Sequence, residues 1–95
     1  MLQRATRLPT RVLIHVHTDS GGFDATLGNL SATGARLLGV PDQALRVGDQ
    51  VDILCQGQSH RAEVRWHFDD TCGLMFSGPL DEGQITTILA SRMIN

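Results

Sequence analysis

Residues 60–76 read HRAEVRWHFDDTCGLMF. Over the first nine, apolar side chains recur at every second place. Ala62, Val64, Trp66 and Phe68 fall on one face, and Arg61, Glu63, Arg65 and His67 on the other. A period of two marks a strand with one side against a core and the other in water. Asp69-Asp70-Thr71 is turn chemistry, and Cys72–Phe76 resumes as a further strand, so the segment reads as a hairpin.

The same pattern extends upstream. Val12, Ile14 and Val16 alternate with Leu13, His15 and His17, and Phe23, Ala25 and Leu27 alternate with Asp24 and Thr26. ARLL (35–38) and VDILC (51–55) follow, the latter with Val51, Ile53 and Cys55 on one side. DSGG, SATG, PDQ, VGD and QGQS separate these runs with turn residues. After Phe76 the period lengthens. A Ser/Pro/Asp/Glu cluster leads into Ile85, Ile88, Leu89 and Met93, spaced for one face of a helix over 79–93. Six short strands and one amphipathic helix predict an all-β domain. Its expected form is a six-stranded antiparallel β-barrel closed by a C-terminal α-helix, because closure removes exposed strand edges.

One detail departs from strict alternation. Leu27 and Leu30 have opposite parity, so a regular strand cannot bury both. A bulge at Gly28–Asn29 would swap the faces, anchoring the turn with Leu30 and aiming Asn29 and Ser31 outward.

Length and composition set the outer limits. Ninety-five residues make one domain, with an arm over 1–11, a barrel over 12–76 and the helix after it. No apolar run reaches the ~20 residues of a membrane span, and the N-terminal residues lack a secretory signal pattern, so a cytoplasmic location without membrane insertion is expected. Cys55 and Cys72 have no Cys-x-x-Cys companion and are expected as buried thiols. His15 and His17 share a face but lack a third ligand in sequence, and no metal site is expected. No nucleophile, phosphate-loop or metalloprotease motif occurs, which argues against an enzyme.

Charge is distributed unevenly. All eight basic residues are arginine. Residues 1–11 hold Arg4, Arg7 and Arg11 with no acid, whereas the rest of the chain sets five arginines against ten acids. An acidic body with few aromatics disfavours a DNA or RNA partner, which calls for a broad basic face. A local arginine cluster suits a small planar anion, since the guanidinium fork pairs bidentately with phosphate or a guanine edge.

The arginine arm, followed by Asn29-Leu30-Ser31-Ala32-Thr33-Gly34, resembles the PilZ domain family. That family carries Arg-x-x-x-Arg near its N-terminus and Asp/Asn-x-Ser-x-x-Gly about twenty residues later. AEVRWHFDDTCGLMF resembles the family's late hairpin, so the similarity runs over nearly the whole chain. Arg7 and Arg11 satisfy Arg-x-x-x-Arg literally. The R-L-P register instead makes Arg7 the second arginine, with Gln3 in the first place and Arg4 one position late. Either Arg4 or Arg11 completes the pair.

The resemblance implies binding of cyclic di-GMP through Arg4, Arg7, Arg11, Asn29, Ser31 and Gly34, with no other cofactor. Asn29 would offer its carbonyl to guanine N1–H or N2–H, and Ser31 would reach a phosphate or amine. Gly34 would supply a positive φ and a close backbone approach. Arg36 and Arg65 read as surface strand residues and Trp66 as core. The implied role is a ligand-gated adaptor to an unidentified protein partner in motility, exopolysaccharide or attachment control. The alternative is a PilZ-like interaction module that no longer binds the nucleotide.

Overall fold

The computed structural model describes residues 8–90. Six antiparallel strands close in the order β1-β2-β3-β6-β5-β4, with β1 Leu8–Thr18, β2 Gly21–Leu30, β3 Gly34–Leu38, β4 Gln50–Cys55, β5 Gln58–Phe68 and β6 Thr71–Phe76. Helix α1, Glu82–Ala90, follows. The expected barrel and terminal helix are what the chain forms.

The alternating runs fill the barrel as their period dictates. Val12, Ile14 and Val16 from β1, Ala25 and Leu27 from β2, Val51 and Ile53 from β4, and Ala62 and Val64 from β5 are all buried. Tight hairpins set the registers. Gln56 and Gly57 both take positive φ, at 52° and 75°, as a two-residue turn with the twist of its flanking strands requires. Cys55 therefore pairs with Gln58, and β5 begins two residues earlier than the alternation at His60 suggests. Likewise β1 starts at Leu8, so residues 8–11, assigned by sequence to the arm, belong to the barrel.

The helix is shorter than the expected span of 79–93. Asp81 Oδ1 accepts from the Gln84 amide at 2.7 Å while Gln84 Oε1 accepts from the Asp81 amide at 2.9 Å. This reciprocal cap defines the first turn and leaves Pro79 and Leu80 as a connection. Leu80 and Ile88 are buried, Ile85 and Leu89 pack against the core, and α1 contacts β1. Met93 lies outside the described residues. Among the described residues no helix is long and apolar enough to cross a membrane. Cys55 and Cys72 are both buried thiols.

Three registers slip by a residue: in β1 between Pro9 and Val12, in β2 between Leu27 and Asn29, and in β5 between Val64 and Trp66. The β2 slip is the bulge that the Leu27/Leu30 parity calls for, and both leucines are fully buried. The β5 slip overturns part of the sequence reading. Beyond it Trp66 pairs with Gly73 and His67 with Cys72, so Trp66 and Phe68 turn outward, 40% and 71% exposed, and His67 turns inward. An extra residue on one strand exchanges the faces of everything after it.

Candidate functional site

The slips in β2 and β5 flank one row of cross-strand neighbours. Pro9 pairs with Asn29, Asn29 with Arg36, Arg36 with Gly73, and Gly73 with Trp66. Paired residues share a face, so Asn29, Arg36 and Trp66 stand on the outer wall of the barrel. At about 4.8 Å per strand, the row from Asn29 to Trp66 spans about 15 Å. Neither end would face outward without its bulge: Asn29 would follow Leu27 into the core, and Trp66 would follow Val64.

At the Asn29 end, the Asn29 Oδ1 atom is buried and accepts no hydrogen bond among the described residues. A buried acceptor left unmatched costs about 1–3 kcal/mol, so the position favours an incoming donor. Arg36 is exposed and forms no ion pair among the described residues. Arg11 is exposed on β1 within the register slip opposite Gly28, next to the Pro9–Asn29 pair. Arg4 and Arg7 lie outside the described residues.

Ser31 and Gly34 both hold the turn between β2 and β3, and the expected outward Ser31 and positive φ at Gly34 are not what the turn adopts. Ser31 is 4% exposed and does not point outward. Its Oγ accepts from the Gly34 amide at 3.2 Å and the Thr33 amide at 3.3 Å, and lies 3.3 Å from the Gly34 carbonyl, to which it donates. The Ser31 amide donates to that same carbonyl at 2.9 Å. The hydroxyl thus closes the turn between β2 and β3. Gly34 does not take a positive φ. Its close approach is to the protein itself, because a Cβ there would collide with the Leu74 carbonyl oxygen on β6. The turn is also tied to the end of β6 and the chain beyond it: Phe76 N donates to Thr33 O at 2.9 Å and Leu80 N to Ala32 O at 2.7 Å. The Asn-x-Ser-x-x-Gly segment is therefore a rigid turn that holds Asn29 beside Arg36.

At the other end, the five-membered ring of the Trp66 indole lies over Gly73. A shallow groove of about 270 Å³ runs between this indole and the Thr33–Gly34 turn, with Arg65 and Met75 on its floor and rim. Arg65 Nη1 lies 3.7 Å from Met75 Sδ. Three outward groups of distinct chemistry, an amide, a guanidinium and an aromatic ring, thus border one surface. Together they suit a flat, polar, ring-containing anion.

Trp66 is the residue that sequence patterning placed elsewhere, whereas Arg36 is the exposed strand residue that the pattern predicts. For Trp66 a signal existed. A two-residue turn at Asp69–Asp70 pairs Trp66 with Gly73 and His67 with Cys72, and burying Cys72, Leu74 and Phe76 then forces Trp66 out. Among the described residues, no group of three or more His, Cys, Asp or Glu side chains is arranged to hold a metal ion.

A family model described as PilZ domain matches residues 2–91. No curated protein matches the chain in sequence. Among solved structures, the inhibitor of motility MotI/DgrA of Bacillus subtilis superposes with a TM-score of 0.68 at 14% identity. That superposition covers 96% of this chain but 50% of the inhibitor, so the chain spans half that protein's length. The PilZ domain of CeSA from a cellulose-synthesizing bacterium superposes with a TM-score of 0.66 at 15% identity, over 94% of this chain and 96% of its own. Both structures have the same barrel, and the family model, spanning almost the entire sequence, agrees with them: the chain belongs to the PilZ domain family.

Proposed function

We propose that this protein binds cyclic di-GMP on the outward row Asn29–Arg36–Trp66 and passes the bound state to a protein partner as a non-catalytic adaptor. PilZ domains are in general cyclic di-GMP-binding adaptor modules, and this reading applies that role to particular residues here. In it, Asn29 Oδ1 accepts from a guanine N1–H or N2–H, Arg36 pairs with a phosphate or a guanine O6/N7 edge, and Trp66 stacks on a base. Arg7, with Arg4 or Arg11, supplies the remaining guanidinium contacts. Ser31 and Gly34 act by holding the turn. The ligand's own energy would shift the protein toward the partner-competent state. The fold likeness to a protein named as an inhibitor of motility makes motility the first process to test, ahead of exopolysaccharide and attachment. A cytoplasmic location belongs to the same reading.

The observation that carries the proposal is the buried Asn29 Oδ1, which accepts no hydrogen bond among the described residues, beside Arg36, which forms no ion pair among them. A second reading, an interaction module without nucleotide binding, draws support from Ser31, whose hydroxyl is wholly engaged in the turn. Calorimetric titration of cyclic di-GMP separates the two. Binding by the wild type at micromolar concentrations is expected. Weakening of about tenfold or more is expected in Arg7→Ala, the size of a lost charge-assisted contact. Asn29→Ala should weaken binding less, by up to about tenfold, as for a neutral hydrogen bond. No heat from the wild type would leave the second reading, and binding that survives both substitutions would place the site elsewhere.

A further inference from the structure

We propose that Gly73 is a positioning residue: by lacking a Cβ it seats the Trp66 indole flat on β6 and so fixes the aromatic wall of the groove beside Arg36. The inference rests on the cyclic di-GMP reading for its ligand and on packing alone for the seating. Gly73 needs no glycine for its backbone, since its φ is not in the left-handed region. It stands on the outer face of a central strand, between Arg36 on β3 and Trp66 on β5, yet it is buried. The indole is what covers it. A Cβ built on Gly73 would overlap Nε1 and Cε2 and would lie 2.7 Å from Cδ1.

Trp66 is 40% exposed, so one side of the ring rests on the strand and the other meets solvent. A ring held in that way offers a face to a stacking base with little further loss of rotamer freedom. An alanine at position 73 would deny it the seat. Because the overlapped atoms belong to a side chain with solvent beside it, the indole would swing off the sheet while the barrel stayed folded. Gly34 differs here, since its collision partner is backbone.

The test is a double-mutant cycle on Gly73→Ala and Trp66→Ala, with cyclic di-GMP affinity measured by calorimetry. Fluorescence of the single tryptophan is measured without ligand. Gly73→Ala is expected to shift the emission toward that of a solvated indole and to weaken binding about tenfold, the scale of one base–aromatic stack. In the Trp66→Ala background, Gly73→Ala should then change affinity no further. Unchanged emission in Gly73→Ala, or an equal affinity loss with and without Trp66, would overturn the proposal. Should Gly73→Ala fail to fold while the double variant folds, the clash is with the indole, as proposed. Should both fail, the clash is with the strand and the proposal falls. If the wild type binds no cyclic di-GMP, the ligand reading fails with the wall it supplies, and the emission shift alone decides the seating.

Discussion

Replacing Gly34 with alanine isolates what the last residue of the Asn-x-Ser-x-x-Gly segment does. Its φ lies outside the left-handed region, so alanine is compatible with the local backbone. On that ground alone the substitution would stabilise the fold by about 0.4–1 kcal/mol, by narrowing the unfolded ensemble. The opposing effect is larger. The new methyl would meet the Leu74 carbonyl oxygen, with the Leu74 carbonyl carbon 3.5 Å and the Met75 Cα 3.7 Å away. No rotamer relieves overlap with a backbone atom, so β3 and β6 must separate where Gly34 pairs with Met75. Forced separation of well-packed elements costs about 1–3 kcal/mol, so mid-range values of the two effects leave a net loss of about 1–2 kcal/mol. For a domain of this size that lowers the melting temperature by about 5–15 °C. Thermal or urea unfolding of the ligand-free protein reads this directly. A Gly34→Ala variant as stable as the wild type would refute the argument, since it would show that the two strands do not need a bare Cα at this crossing.

Two further outcomes follow from single side chains. Burial pushes the Cys72 thiol up from 9.0 to about 12, so between these pH values the unfolded chain releases a proton that the folded protein keeps. Stability from this residue is complete below about pH 9 and declines as pH rises toward 12. Alkaline melting curves should therefore fall more steeply for the wild type than for Cys72→Ala, and a thiol reagent should label Cys72 only on unfolding. Asp81→Ala removes the acceptor for the Gln84 amide and should destabilise the protein by about 0.5–2 kcal/mol, seen as a lower melting temperature with the barrel signal retained.

Periodicity alone was sufficient for the architecture. Strand residues such as Val12, Ile14 and Val16 are buried because a period of two leaves them no other face, and the barrel closes because six such strands have edges to satisfy. Even one irregularity was legible: Leu27 and Leu30 cannot both be buried unless Gly28 lies in a bulge, and both are buried. Asn29 was thereby placed outward from sequence. The Ser31 hydroxyl and the Gly34 Cα could not be given a structural part on residue type, since serine and glycine serve turns and ligands alike; their hydrogen bonds and the nearby Leu74 carbonyl show what each does for the turn. Position was decided later still for Trp66. Its local alternation points it inward, and only pairing with β6, through the two-residue turn at Asp69–Asp70, turns it out over Gly73. Alternation is a property of one strand, whereas facing is settled by register between strands. A single extra residue in β5 reverses the facing of every side chain beyond it, and that choice belongs to the assembled sheet.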